Sequence, residues 1–391
     1  MDYYWAKNIV TPFSLITPGV ICVEDGIISA VSETPSGLKI KDKYEYAIPG
    51  FVDIHTHGSN NFDIMDATKK AFSGLARYHL RTGTTSFVGS TLTAPLSKLE
   101  KVLVKGRDYL PDNRQKVERG SEATILGFHL EGPWLSYQNA CAHNPEHIIK
   151  PNVESRRFIE KHADVIRMVT LDYQAMETDA FLETLNENGI VAACGHDYTT
   201  DNLIKQGFER GISHVTHIYC CASTFHKRKT RKYLGVTEMA LMTDGITVEV
   251  IADNYHITRY FWDFIVHNKS VDQIIVVSDT IRVSGISSGE EKKIMMEGIE
   301  VTVRDGVALL PDGSGFAGSV TSLYEMFLIL VKQWNVPIQE AVQVTSYNPA
   351  RKIGMHGKIG EIRKGNVADI LFLDKKFNIA KILKNGIKVR Q

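Results

Sequence analysis

The sequence predicts an α/β protein built on a (β/α)8 TIM-like barrel, with a small β-sandwich domain formed from both chain termini. Two observations carry this. Eight short apolar runs of strand character recur between residues 47 and 289, separated by segments of helical character, and hairpin signals cluster before and after that region. Strand alternating with helix implies parallel βαβ units, and eight such units can close into a barrel. An open doubly wound sheet would announce itself with a Gly-rich phosphate turn after an early strand, and the sequence has none.

The first 46 residues read as short β pieces, with two apolar runs flanking Glu24-Asp25-Gly26, a strong hairpin signal. The barrel strands are expected at 47–54, 84–89, 123–130, 166–171, 190–194, 214–218, 247–251 and 274–277. After Asp279 a hairpin is expected from Ile294 to Leu310 around Arg304-Asp305-Gly306, then helices over 319–334 and 337–347. The chain ends in strands at 369–373 and 379–389, the latter turning at Asn385-Gly386. The expected division is therefore 1–46 and 290–391 for the small β domain, with 317–350 helical and packed on the barrel, and 47–289 for the barrel itself.

Composition excludes several classes. The 391 residues carry 45 basic and 45 acidic side chains, with 43% hydrophobic and 23% charged content. Such a chain buries a sizeable core and is not disordered. A net charge of zero argues against nucleic acid or an anionic membrane surface as partner, while leaving room for local patches. No run reaches the roughly 18 apolar residues that span a bilayer. The start, Met-Asp-Tyr-Tyr-Trp, has an acid where a signal peptide has a basic residue. Five scattered cysteines, an odd number in a long chain, suggest a cytoplasmic protein with reduced thiols.

Chemistry-bearing residues fall at the C-terminal ends of the expected strands. His55 and His57 follow the first, and residues i and i+2 of a strand point the same way, so both imidazoles can face one cation. Glu131 ends the third strand, His196 the fifth, His217 the sixth and Asp279 the eighth. Barrel enzymes take their catalytic groups from these ends, and imidazole with carboxylate suits Zn²⁺, Fe²⁺, Mn²⁺ or Ni²⁺. A carboxylate such as Glu131 can bridge two ions. A bound metal lowers the pKa of its water from about 15.7 to about 7, giving hydroxide at neutral pH. Asp279 is then expected to take a proton and return it to the leaving group. His129 and His214 are expected to be structural, His214 on the opposite side of its strand from His217.

These residues carry a family resemblance. The segments Ile48-Pro49-Gly50-Phe51-Val52-Asp53-Ile54-His55-Thr56-His57-Gly58, His129-Leu130-Glu131-Gly132-Pro133-Trp134, Ala142-His143-Asn144-Pro145, Gly195-His196, Thr216-His217, Ala252-Asp253-Asn254-Tyr255-His256, Ser278-Asp279, Ala317-Gly318-Ser319 and Asn348-Pro349-Ala350-Arg351 resemble those of the amidohydrolase superfamily. Within it the chain is similar to the N-acetylglucosamine-6-phosphate deacetylases. The resemblance implies hydrolysis of an acetamide on an amino-sugar 6-phosphate, giving acetate and the free amino sugar phosphate. It implies a principal divalent metal on Glu131, His196 and His217, and a second on His55, His57 and Glu131. Some relatives replace the first two histidines and use one ion; here both are present, which favours two. Asp279 resembles the general acid/base, while His143 and His256 match positions that hold the substrate's carbonyl and hydroxyls. The turn Phe316-Ala317-Gly318 resembles a segment whose backbone meets the sugar. Dimerisation is implied in the same way.

Two departures bear on the substrate. Where the family has an Asn-Ala pair contacting phosphate and sugar, this chain has Cys220-Cys221, to be read as small packing residues or as thiolate ligands. The segment that follows holds five cations in the six residues 227–232. It is either a solvated loop or a phosphate clamp, with Arg228 on the phosphate position, serving its own site or a partner's. The N-acetylgalactosamine epimer or another small N-acyl compound is the alternative substrate. A non-catalytic relative would be expected to have lost ligands, and none is missing here.

Overall fold

The computed structural model describes residues 1–33, 42–174, 176–286, 291–313 and 315–390. The expected domain boundary at 289–290 lies partly outside them. Eight parallel strands follow one another around the barrel in sequence order: β1 (Phe51–Thr56), β2 (Thr84–Thr91), β3 (Thr124–Glu131), β4 (Ile166–Leu171), β5 (Val191–Cys194), β6 (His214–Val215), β7 (Thr247–Val250) and β8 (Ile274–Val276). Every residue of β1 and β2 is buried, as expected of a parallel sheet covered on both faces. The seam between β8 and β1 is joined just beyond the strands. There the Asp279 N–H donates to the His55 carbonyl at 2.9 Å, and the His57 and Gly58 N–H groups both donate to Thr280 O at 2.9 Å. The seam is thus tied at the level of the candidate ligands.

The run expected as one strand over 47–54 is two. Gly50 divides them, and a side chain there would run into Thr85, whose nearest atoms lie 2.3 Å from where its Cβ would stand. Before the glycine, Lys43–Pro49 joins a separate eight-stranded sheet made by the two termini. It pairs in parallel with Asp2–Val10 and antiparallel with Ile370–Leu373. The glycine therefore passes the chain from one sheet to the other. Both terminal hairpins turn where their sequences signal it: Asp25 and Gly26 have φ of 48° and 79°, Asn385 and Gly386 have 51° and 74°. Two consecutive left-handed residues are what a tight turn between right-twisted strands requires.

Residues Lys292–Met296, Ile299–Arg304 and Val307–Leu309 form a three-stranded sheet of their own, whose third strand bridges to Phe316. The helical turns Leu323–Leu328 and Ile338–Val342 follow. Behind them the Asn348 amide donates to the carbonyls of Val271 and Ile274 at 2.7 Å each, tying this segment to the foot of β8. Among the described residues no helix is long and apolar enough to cross a membrane.

Candidate metal centre and active site

The strand ends bring together all six residues expected to carry the chemistry. His55 lies in β1 and His57 just after it, Glu131 is the last residue of β3, and His196, His217 and Asp279 follow β5, β6 and β8 within three residues. All six are at most 5% exposed. His196, His217 and Asp279 have φ of 48°, 25° and 46°. A non-glycine residue held there costs about 1–3 kcal/mol, a strain that clusters at functional sites. It also explains why β6 stops at Val215 and not at 218: the chain leaves the strand path to place His217.

Glu131 is the hub. Its Oε1 lies 2.8 Å from His217 Nε2 and 3.2 Å from His196 Nε2; its Oε2 lies 3.2 Å from His57 Nε2 and 3.5 Å from His55 Nε2. Burial alone would raise this carboxyl, but the surrounding imidazoles hold it well below the usual carboxylate range. One carboxylate thus faces two histidine pairs, one oxygen to each.

The ring nitrogens declare their roles. His55 Nδ1 lies 2.9 Å from the Glu249 carboxylate, and His196 Nδ1 2.9 Å from the Asn139 carbonyl. Both Nδ1 atoms must donate there, which turns each Nε2 towards the carboxylates, where it can offer a lone pair to a cation once deprotonated. The Nε2 atoms of His55 and His57 stand 3.3 Å apart, converging with Glu131 Oε2 and with Asp279 Oδ1 at 3.2–3.5 Å. Imidazole nitrogens and carboxylate oxygens converging in a buried space form the donor set of a divalent cation, so the residues fit the metal that the resemblance implies.

His143 differs. Its Nδ1 accepts the Thr93 backbone N–H at 3.1 Å, so Nε2 carries the proton and points it towards Glu131 Oε2 at 3.2 Å. Burial and the adjacent His196 lower its pKa to about 4, so the ring is neutral at pH 7. A neutral Nε2–H is a hydrogen-bond donor for a carbonyl rather than a metal ligand. For Asp279, burial would raise the carboxyl, but His55 and His57 hold it below the usual value. It is ionised at neutral pH and starts as a base.

His57, Glu131, His143, His196, His217 and Asp279 line one cavity together with Cys141, Cys220, Cys221, Met296, Phe316, Ala317 and Gly318, while His55 is not part of its wall. A larger open cavity, about 810 Å³, lies away from the histidines between Arg77, Arg119 and residues 387–390. Gly318, at φ 70°, sits against the Asp279 carbonyl, where a Cβ would come within 2.9 Å. Arg228 and His256 do not line the smaller cavity. Arg228 belongs to a hairpin of His226–Arg228 with Arg231–Tyr233, donates to the Tyr198 carbonyl at 2.7 Å and covers the Tyr198 ring at 4.5 Å.

His256 packs against Phe316 with ring centroids 4.6 Å apart, and its Nδ1 lies 2.8 Å from Asp253 Oδ2. Burial alone would depress its pKa, yet Asp253, with Cys220 beside it, raises it to about 10. The ion pair therefore adds stability that is complete below the unfolded value near 6.5 and fades as pH rises through about 10. We expect Asp253→Asn to lower the His256 titration, followed by ring-proton NMR, from its value of about 10; an unchanged value would refute this pairing.

The expectation of reduced thiols is corrected at one pair. Cys141 and Cys221 are joined by a disulfide across 80 residues, while Cys22, Cys194 and Cys220 are free. Cys221 is therefore neither a free packing thiol nor a thiolate in this state. The loops after β3 and β6 place the two sulfurs together, and sequence spacing holds no signal for that.

His129 is structural as expected, held by Ser90 at 2.9 Å and Thr170 at 2.8 Å. His214 is likewise held as a structural residue, its side chain on Glu249 while that of His217 turns to Glu131. Its Nε2 lies 2.9 Å from Glu249 Oε1, while Glu249 Oε2 accepts the His217 backbone N–H at 3.2 Å. Glu249 itself is absent from the expected set, although it is 0% exposed and orients His55. Its signal is an acid inside the apolar run Val248-Glu249-Val250.

Residues 46–389 match the Amidohydrolase family. The chain belongs to that family and is a hydrolase of amide C–N bonds. It is 30% identical over 371 residues to the N-acetylglucosamine-6-phosphate deacetylase of Bacillus subtilis (strain 168), covering 93% of this chain and 91% of that one. To the N-acetylgalactosamine-6-phosphate deacetylase of Escherichia coli O157:H7 it is 26% identical, covering 97% of each. The crystal structure of the N-acetylglucosamine-6-phosphate deacetylase of Thermotoga maritima superposes with a TM-score of 0.87 at 27% identity, over 100% of both chains.

Proposed function

We propose that this protein hydrolyses the acetamide of N-acetylglucosamine 6-phosphate to glucosamine 6-phosphate and acetate. The observation that carries the reading is the Glu131 carboxylate shared between two histidine pairs, with Asp279 Oδ1 3.2 Å from His57. That arrangement occurs in a chain whose relatives over nearly its whole length bear the names of hexosamine-6-phosphate deacetylases.

In this reading Glu131, His196 and His217 would hold one divalent cation, and His55, His57 and Glu131 would hold a second. Such ions polarise a carbonyl and acidify water. The chain's own residues do the rest. His143 donates its Nε2–H to the acetyl oxygen, where charge develops as the carbon becomes tetrahedral. Asp279 takes a proton from the attacking water and delivers it to the departing nitrogen. The backbone of residues 316–318, ordered by the bridge from Leu309 to Phe316, faces the sugar.

The same reading takes the enzyme as a cytoplasmic homodimer. A sugar phosphate carries charge that does not cross a bilayer unaided. Lys227, Lys229, Arg231 and Lys232 are exposed, on a hairpin outside the cavity lining, which supports a phosphate contact delivered across a dimer.

A panel of 6-phosphorylated and unphosphorylated N-acetylglucosamine and N-acetylgalactosamine in an amine-release assay tests the reading. The phosphate should raise kcat/KM about 10- to 100-fold, the worth of one or two charge-assisted hydrogen bonds. Equal rates with and without phosphate would refute the clamp, and preference for the galactose epimer would reassign the substrate. Such a preference would point to Cys220-Cys221 as the departure responsible.

A further inference from the structure

We propose that Cys141 and Cys221, together with His196, form a redox-gated site for a thiophilic divalent cation on the wall of the active-site cavity. The two sulfurs and a ring nitrogen of His196 all lie within 4.8 Å of one another. His196 Nδ1 lies 2.9 Å from the Asn139 carbonyl and Nε2 3.2 Å from Glu131 Oε1, so the imidazole gives up one of these contacts to ligate an ion on the thiols. Ligands on a tetrahedral ion with bonds of about 2.3 Å stand about 3.8 Å apart. The two sulfurs are held at bonding distance by the disulfide and would part to about that spacing once reduced, with the His196 ring already beside them. The cluster is also chemically distinct from the centre around Glu131, because thiolates select soft ions where carboxylates do not.

The gate is the disulfide. While Cys141 and Cys221 share a bond, neither sulfur carries the charge of a thiolate ligand. A dithiol reductant breaks that bond, supplying two electrons and two protons, and leaves as its own disulfide. The freed thiols then lose their protons on binding a metal. The fold places both within loops that already carry function: Cys141 stands two residues before His143, and Cys221 four after His217. Cys141 has φ 50°, so this loop too is held in a left-handed turn. His196 belongs to both donor sets. A soft ion on the thiols therefore competes with Glu131 and His217 for that imidazole, and the redox state of the pair sets which class of cation the cavity wall accepts.

The test reads thiols and spectra rather than turnover, so it succeeds or fails independently of the deacetylase reading. Thiol counting on denatured protein should give three without reductant and five after phosphine treatment, given five cysteines of which three are free. Five from the start would overturn the gate. Co²⁺ added to reduced, metal-free protein should produce a thiolate-to-cobalt charge-transfer band in the near ultraviolet. The band should be absent from the oxidised protein, lost in Cys141→Ser and in Cys221→Ser, and kept in Cys220→Ser. No band in reduced wild type, a band that survives both serine variants, or its loss in Cys220→Ser would overturn the assignment. Cd²⁺ binding to the wild type needs no variant to fold: calorimetry should show affinity at least about tenfold higher after reduction. Equal affinity in the two redox states would overturn the proposal.

Discussion

Asp279→Asn lowers kcat by about 10²- to 10⁴-fold, with metal content and folding unchanged. The substitution keeps the shape and one oxygen of the side chain, so the contact with His57 Nε2 at 3.2 Å can persist. What it removes is the ability to accept a proton and give it back. Asp279 is suited to that cycle because it is at most 5% exposed yet held ionised by His55 and His57. Steady-state kinetics with metal analysis on the same preparation check both halves. Normal turnover in the Asn variant would remove Asp279 from the proton path. A parallel loss of metal would make it a ligand instead.

The ring of ligands is legible in the sequence because barrel geometry assigns strand ends to chemistry before any contact is known. His55, His57, Glu131, His196, His217 and Asp279 each close an apolar run, and each stands in the site. What escapes such a reading depends on contacts between elements. Glu249 sits within β7, and only the meeting of β7 with β1 reveals that it holds His55. The role of His143 turns on the backbone N–H of Thr93, 50 residues away, which fixes the tautomer. The Cys141–Cys221 bond spans 80 residues, and five cysteines offer no rule for pairing. The run over 47–54 reads as one strand because its apolar character is continuous. The division comes from steric contact of Gly50 with Thr85, a neighbour in β2.

Glu131→Gln should abolish turnover and leave metal content below the wild-type stoichiometry even in excess metal, whereas Glu249→Gln should be rescued by excess metal. The two glutamates lie on either side of the His55 ring but do different work. Glu131 presents one oxygen to His196 and His217 and the other to His55 and His57. An amide has one acceptor oxygen, and its NH₂ carries no lone pair for a metal. Whichever way the substituted amide turned, one histidine pair would lose its carboxylate and face N–H donors. Glu249 acts one step back: it receives the Nδ1–H of His55 and the backbone N–H of His217, and reaches His214 with its other oxygen. A glutamine can still accept from His55 with its single oxygen, so the ring keeps its tautomer and loses only the charge behind it. Changes of that kind cost about 10- to 100-fold in metal affinity, which a higher metal concentration restores. Metal titrations followed by kcat at saturation separate the cases. Recovery of Glu131→Gln by added metal would mean that neither ion depends on the shared carboxylate. Failure to recover Glu249→Gln would mean that it acts on the reaction by a route other than His55.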